Sequence, residues 1–332
     1  MNKGIAIAGN LLVDIIKTID VFPDRGMLSN IEHVERCVGG CAANTAVNLA
    51  KIDPAIPVKV FGGIGTDENG QYISEVLGKY RIDIDGVKQF PSTSTSFTDV
   101  MTERKEGVRT FFHARGANAL FGFDDIDFTA IKAEHFHIGY ALLLDQFDAK
   151  DDEYGTVMAR ALDCARKNGM RTSMDVVSES SGRFKQIVTP SLKYCDYVII
   201  NEIEASMIAG LPVRKNGKLE KDSLKKICHK LLENGIKDEI IIHMPEGACA
   251  MDIKENFLFV PSLNLPENYI KGTVGAGDAF CAGMLFSIHK GYDREHALKI
   301  GAGAAACCLS EIDSIDGMQG IKEIEKKIDQ YG

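Results

Sequence analysis

No apolar run in this 332-residue chain reaches the ~18 residues that a bilayer-spanning helix needs, so no transmembrane segment is expected. Positive charge is not in excess either: 38 lysines and arginines stand against 47 aspartates and glutamates, a net charge of −9 at pH 7. Such a chain is poorly suited to wrapping nucleic acid or lying on an anionic membrane, although a local site can still be positive enough for an anionic substrate. Internal repeats, low-complexity tracts and Pro/Gly/Ser linkers are absent. The nine cysteines, an odd number scattered from Cys37 to Cys308, have no framework spacing. Cys37 and Cys41 lack a matching His or Cys pair, so zinc is not expected from them, and nine free thiols point to a reducing, cytoplasmic setting. The N-terminal "MNKGIAIAGNLLVD" superficially resembles a signal peptide. Asp14 interrupts its apolar run and no small-residue cleavage site follows, so a buried first strand is expected instead.

What is present is an ordinary globular composition, 45% hydrophobic and 26% charged. Continuously apolar short runs, "RTSMDVV", "DYVII" and "EIIIHM", alternate with helical patterns such as "YGTVMARALDCARKNG" and "EIEASMIAG". Strands apolar on both faces belong to a buried sheet whose helices supply the crossovers, so the expected fold class is α/β with a mostly parallel sheet. Two segments break this rhythm. "VDIIKTIDVF" alternates, and "SFTDVMTERKEGVRTFFHA" reads as two extended runs joined by a charged turn, Glu103 to Gly107. They predict a small open sheet, a lid or a dimer clasp, inserted at about 14–37 and 95–114 in one domain spanning 1–332.

Three motifs carry chemistry. In "KGTVGAGDAF", Gly275, Ala276 and Gly277 precede an acid, Asp278, that opens a helical run. Small residues let backbone N–H groups converge on a ligand, and a helix N-terminus favours an anion. Asp278 could instead simply cap that helix. In "VGGCAANTAVNLAKI", Gly39-Gly40 opens another helix with Asn44 in its first turn, where a cap or a surface role is the plainer reading. In "INEIEASMIAG", Asn201 follows a buried strand and Glu204 lies one turn later on the same helix face. That pair suits water-mediated Mg²⁺, and equally suits capping. Other glycine loops fail: Phe280 stands where the dinucleotide spacing needs glycine, and no G-x-x-x-x-G-K-[ST] or protein-kinase signature occurs.

Together these stretches resemble the ribokinase-like (PfkB) carbohydrate kinase family. "VGGCAANTAVNLAKI" resembles its N-terminal signature and "GTVGAGDAFCAG" its C-terminal one; "GGIGTDENG" and "INEIE" resemble two further motifs, with weaker matches at "GANALF" and "MPEGA". The resemblance implies a Rossmann-like α/β domain with a β-sheet lid that often makes a dimer. It implies an ATP- and Mg²⁺-dependent kinase that phosphorylates a hydroxyl, the primary one, of a small sugar, with a nucleoside as the alternative acceptor. A non-catalytic sugar-sensing protein on the same scaffold is a third reading. By position, Asp278 would be the catalytic base. Gly275, Ala276 and Gly277 would form the anion hole, and Asn201 and Glu204 would organise Mg²⁺ and phosphate. Asp14, Gly40 and Asn44 would contact the acceptor, and Gly247 the nucleotide. Gly272 replaces an Asp that commonly helps bind a monovalent cation, so weak dependence on potassium is expected. Pro245 displaces the first glycine of the nucleotide loop.

Overall fold

The computed structural model describes residues 3–105 and 107–332. Glu106, inside the charged turn expected at Glu103–Gly107, and the first two residues of the N-terminal stretch lie outside the described residues. With strands numbered along the chain, the main sheet contains β1 (Gly4–Gly9), β4 (Val58–Ile64), β5 (Asp83–Gln89), β8 (Ala133–Ala141), β11 (Arg171–Val176), β12 (Tyr197–Asn201), β15 (Glu239–Met244), β16 (Gly247–Asp252) and β17 (Phe257–Pro261). Their order is β17-β16-β15-β12-β11-β8-β1-β4-β5. The ladders from β15 to β5 are parallel, and β16 and β17 close one edge antiparallel. Two short ribbons, β9 (Lys150–Asp151) with β10 (Gly155–Thr156) and β13 (Arg214–Lys215) with β14 (Lys218–Leu219), stand apart from it.

Both faces of the sheet are covered, for the reason the apolar strands predicted. Along β1, Ile5 and Ile7 enter one core with the helices Cys41–Ile52 and Ala276–Lys290, while Ala6 and Ala8 enter the other with the helix Val157–Lys167. The Val157–Lys167 helix begins at a Thr156 side-chain cap and ends before Gly169 at φ +81°, matching its sequence punctuation.

The two alternating segments form one four-stranded sheet, order β3-β2-β6-β7, from β2 (Leu12–Ile19), β3 (Ile31–Gly39), β6 (Ser96–Glu103) and β7 (Arg109–Ala114). It starts at Leu12 and reaches Gly39, slightly wider than the expected segments. Its central pair, β2 with β6, is parallel. Asp14 therefore stands on the lid strand itself rather than at the end of β1. Register places Asp14 beside Thr98 and Thr98 beside His113, so the three share one face.

Candidate active site

At the C-terminal ends of the parallel strands, between sheet and lid, lies a cavity of about 900 Å³. This is where a parallel α/β sheet leaves room for ligands, because chain crossovers diverge there. Asp14, Gly40, Asn44, Asn201, Glu204, Gly275, Gly277 and Asp278 all border it, brought together from across the whole length of the chain.

Asp278 is the third residue of the Ala276–Lys290 helix and is 4% exposed. It does not cap that helix: the N-cap position is Gly275, and no side chain caps it. Instead the carboxylate is held from both sides. Asn44 Nδ2 donates to Oδ2 at 2.8 Å, and the Tyr140 hydroxyl donates to Oδ1 at 2.7 Å. Burial, with the nearby Asp175 charge, pushes the Asp278 carboxyl up to about 6, against the lowering pull of those two hydrogen bonds. Such an acid is ionised near neutral pH yet basic enough to take a proton.

The stretch before it is shaped for an anion. Gly275 adopts φ +75°, and a Cβ there would lie 2.2 Å from the Ser314 Cβ. A Cβ at Gly277 would press on the His243 ring at 3.3 Å. The amides of Ala276, Gly277 and Asp278 head the helix and have no intrahelical acceptor; Gly277 and Asp278 border the cavity with Gly275, and Ala276 is not among its lining residues, so this end of the helix turns its dipole's positive pole to the cavity.

Asn44 is largely committed. Besides donating to Asp278, it accepts at Oδ1 from the Ser314 hydroxyl at 2.9 Å, which leaves one amide proton for a ligand. Gly40, the N-cap of the Cys41–Ile52 helix at φ +88°, is a glycine because a Cβ would meet the Asn10 carbonyl oxygen at 2.4 Å. Asp14 is 8% exposed, and burial pushes its carboxyl up to about 7, offset by a hydrogen bond from Thr98. Gly39 makes room for it: a Cβ there would sit 2.2 Å from Asp14 Oδ2.

Asn201 and Glu204 satisfy both readings of their motif. Asn201 Oδ1 accepts from the amides of Ile203 and Glu204, and Glu204 Oε2 accepts from the Asn201 amide, a reciprocal cap. Glu204 Oε1 also accepts from Asn201 Nδ2 and Ser178 Oγ, each at 2.8 Å. The carboxyl is 4% exposed and burial pushes it up to about 8. A buried carboxyl without a salt-bridge partner among the described residues, near the further acids Asp175 and Glu202, fits a hard cation that keeps its waters.

Gly247 is not brought to the cavity. It starts β16 opposite Met244, and a Cβ there would lie 2.2 Å from the Val260 carbonyl oxygen, so the strand pairing explains this glycine without a ligand. Gly272 does border the cavity, but a Cβ would lie 2.7 Å from the Glu311 carbonyl oxygen; an aspartate has no room there.

Sequence reading missed Tyr140 and Asp175. Both lie at the ends of strands, where no local spacing marks them, and only the parallel pairing of β8 with β11 sets them beside Asp278. The lid residues Thr98 and His113 were likewise invisible as a pair; Thr98 Oγ1 and His113 Nδ1 are 3.0 Å apart.

Comparison with known proteins agrees with this geometry. Residues 2–319 match the family described as pfkB family carbohydrate kinase. A ribokinase of Arabidopsis thaliana is 25% identical over 329 residues, covering 97% of this chain and 80% of that protein. Among solved structures, Arabidopsis thaliana ribokinase complexed with ribose and ATP superposes with a TM-score of 0.80 at 21% identity, covering 99% of each chain. A nucleoside kinase of Methanocaldococcus jannaschii, an archaeal member of the ribokinase family, gives a TM-score of 0.76 at 20% identity, again covering 99% of each.

Proposed function

Since the chain belongs to the pfkB family of carbohydrate kinases and is an ATP-dependent sugar kinase, we propose that it phosphorylates the primary hydroxyl of a small sugar with Asp278 as the base. One observation carries this reading: the buried Asp278 carboxyl, held by Asn44 and Tyr140, borders the same cavity as Gly275 and Gly277 at the head of its helix. Asp278 takes the proton of the acceptor hydroxyl as that oxygen attacks. The amides of Ala276, Gly277 and Asp278 hold the transferring phosphoryl group, whose charge is spread over its outer oxygens in the transition state. Asp14, on the lid, accepts hydrogen bonds from the other acceptor hydroxyls, and such charge-assisted bonds are roughly twice as strong as neutral ones. The lid excludes water, which would otherwise compete as acceptor. Asn201 and Glu204 would hold Mg²⁺ through its waters, and the ion would supply charge neutralisation at the phosphates.

The lid also supports a dimer. Val34 and Phe112 are 55% and 52% exposed on its strands, and Met27 and Leu28 are 71% and 83% exposed in its loop. Unpaired cysteines, nearly all of them buried, favour the cytoplasm. The acceptor is tested by assaying ADP release over a panel of pentoses, hexoses and nucleosides. A sugar should give the highest kcat/KM; a nucleoside in that place would move the chain to the alternative acceptor class, and no turnover on any would reject catalysis.

A further inference from the structure

We propose that His137, Asp175 and Cys281 form a binding site for a thiophilic divalent cation, zinc or a similar ion, at the floor of the cavity and separate from Asn201 and Glu204. The three come from β8, β11 and the Ala276–Lys290 helix, and all are buried. His137 Nε2 lies 3.6 Å from Cys281 Sγ and 3.6 Å from Asp175 Oδ2, and the three donor atoms are all within 4.8 Å of one another. A tetrahedral ion with bonds of ~2.0–2.3 Å to nitrogen, oxygen and sulfur sets its ligands roughly 3.4–3.6 Å apart. The two separations made by His137 match that spacing, and the third lies within 4.8 Å.

The surroundings orient the donors. His137 Nδ1 and His135 Nε2 each share a 2.8 Å hydrogen bond with Ser173 Oγ. With its proton on Nδ1, His137 donates to Ser173, which donates on to His135; the Nε2 lone pair of His137 is left facing the thiol. Asp175 adds a buried carboxyl to the set: Oδ2 is the oxygen near His137 Nε2, while Oδ1, beside Gly139, has no hydrogen-bond partner among the described residues. Asp175 and Cys281 border the cavity, which gives an entry path and leaves a fourth position open to water or a hydroxyl. The mixed nitrogen, oxygen and sulfur set selects zinc, cadmium or cobalt over magnesium or potassium. On binding, Cys281 loses its S–H proton to solvent and the sulfur pair bonds the cation; nothing is oxidised or reduced.

Cobalt alone is the probe, added to metal-stripped full-length protein without nucleotide or acceptor. The expected result is one ion per chain, tetrahedral d–d absorption and a thiolate-to-cobalt charge-transfer band, with zinc displacing the cobalt. Cys281→Ser should abolish the charge-transfer band, and Asp175→Asn should keep it while weakening zinc at least tenfold against a chromogenic chelator, as losing a ligand or its close support typically does (~10–100-fold). A spectrum without the thiolate band, a band that survives Cys281→Ser, or zinc affinity unchanged by Asp175→Asn overturns the site. Should Cys281→Ser fail to fold, the unmodified protein's spectrum and Asp175→Asn still decide. Because no phosphoryl transfer is measured, the result is independent of the kinase reading.

Discussion

Asp278 receives a donor on each oxygen, and those two donors divide its properties between them. Asn44 belongs to the other glycine-rich motif, so the two signatures meet at one carboxylate. Replacing Asp278 by Asn removes the base but keeps a side chain of the same shape, so turnover should fall by ~10²–10⁴-fold while ATP affinity changes little. Wild-type kcat in that variant, on the best acceptor, would reduce Asp278 to a structural residue. Tyr140 acts differently. Its hydroxyl lowers the Asp278 pKa, so Tyr140→Phe should move the acid limb of the kcat/KM profile upward by about one pH unit, the equivalent of one hydrogen bond to a charged group. An unshifted limb would mean that Tyr140 only fills space.

At the scale of elements, two helix starts border the cavity and carry the proposed chemistry. The Glu202–Ala209 helix is capped by the same Asn201–Glu204 pair proposed to organise Mg²⁺. Glu204→Gln keeps an acceptor for the cap but loses the charge, so it separates the roles. The Mg²⁺ concentration for half-maximal rate should rise ~10–100-fold with little change in melting temperature. A lowered melting temperature with an unchanged Mg²⁺ titration would leave only the cap. Gly272, near the Ala276–Lys290 helix, offers no carboxylate and no space for one. Rates in potassium and in tetramethylammonium buffers of equal ionic strength should therefore be similar; a drop of tenfold or more without potassium would contradict this.

Across the whole molecule, the fold gathers Asp14, Asp175, Asp278 and Glu204 into one buried cavity. Burial pushes Asp14 up to about 7 and Glu204 up to about 8, and holds Asp175 well above the usual carboxylate range. In the unfolded chain these groups have already lost their protons by pH 6.5, so above that pH the folded state binds more protons than the unfolded one. Stability must then fall as pH rises. The buried histidines oppose this only at the low end: His137 and His243 are lowered to about 4, whereas an unfolded histidine, with its ordinary value of 6.5, is half-protonated at pH 6.5 and has lost most of that proton above pH 7.5. The ligand-free protein should therefore lose melting temperature from pH 7.5 to 8.5, and Glu204→Gln should flatten that slope. A melting temperature that rises across the window would show that the cavity acids are solvated.

The sequence by itself determined the fold class, the parallel sheet and the positions of the loops that open helices. These are local matters: continuous apolar runs, 3.6-residue patterns, and clustered small residues just before a helical run. It marked Asp278, Asn44, Asn201 and Glu204 because each sits within a turn of such a signal. Only the tertiary structure showed that Asn44 donates to Asp278, that Asp14 rides on the lid strand, and that Gly247 pairs with Met244 outside the cavity lining. It alone found Tyr140 and the His137–Asp175–Cys281 cluster. His137 and Tyr140 share β8, but Asp175 lies on β11 and Cys281 and Asp278 on the Ala276–Lys290 helix, each 35 or more positions from β8's pair, and the strand order with the helix packed on it brings these side chains together.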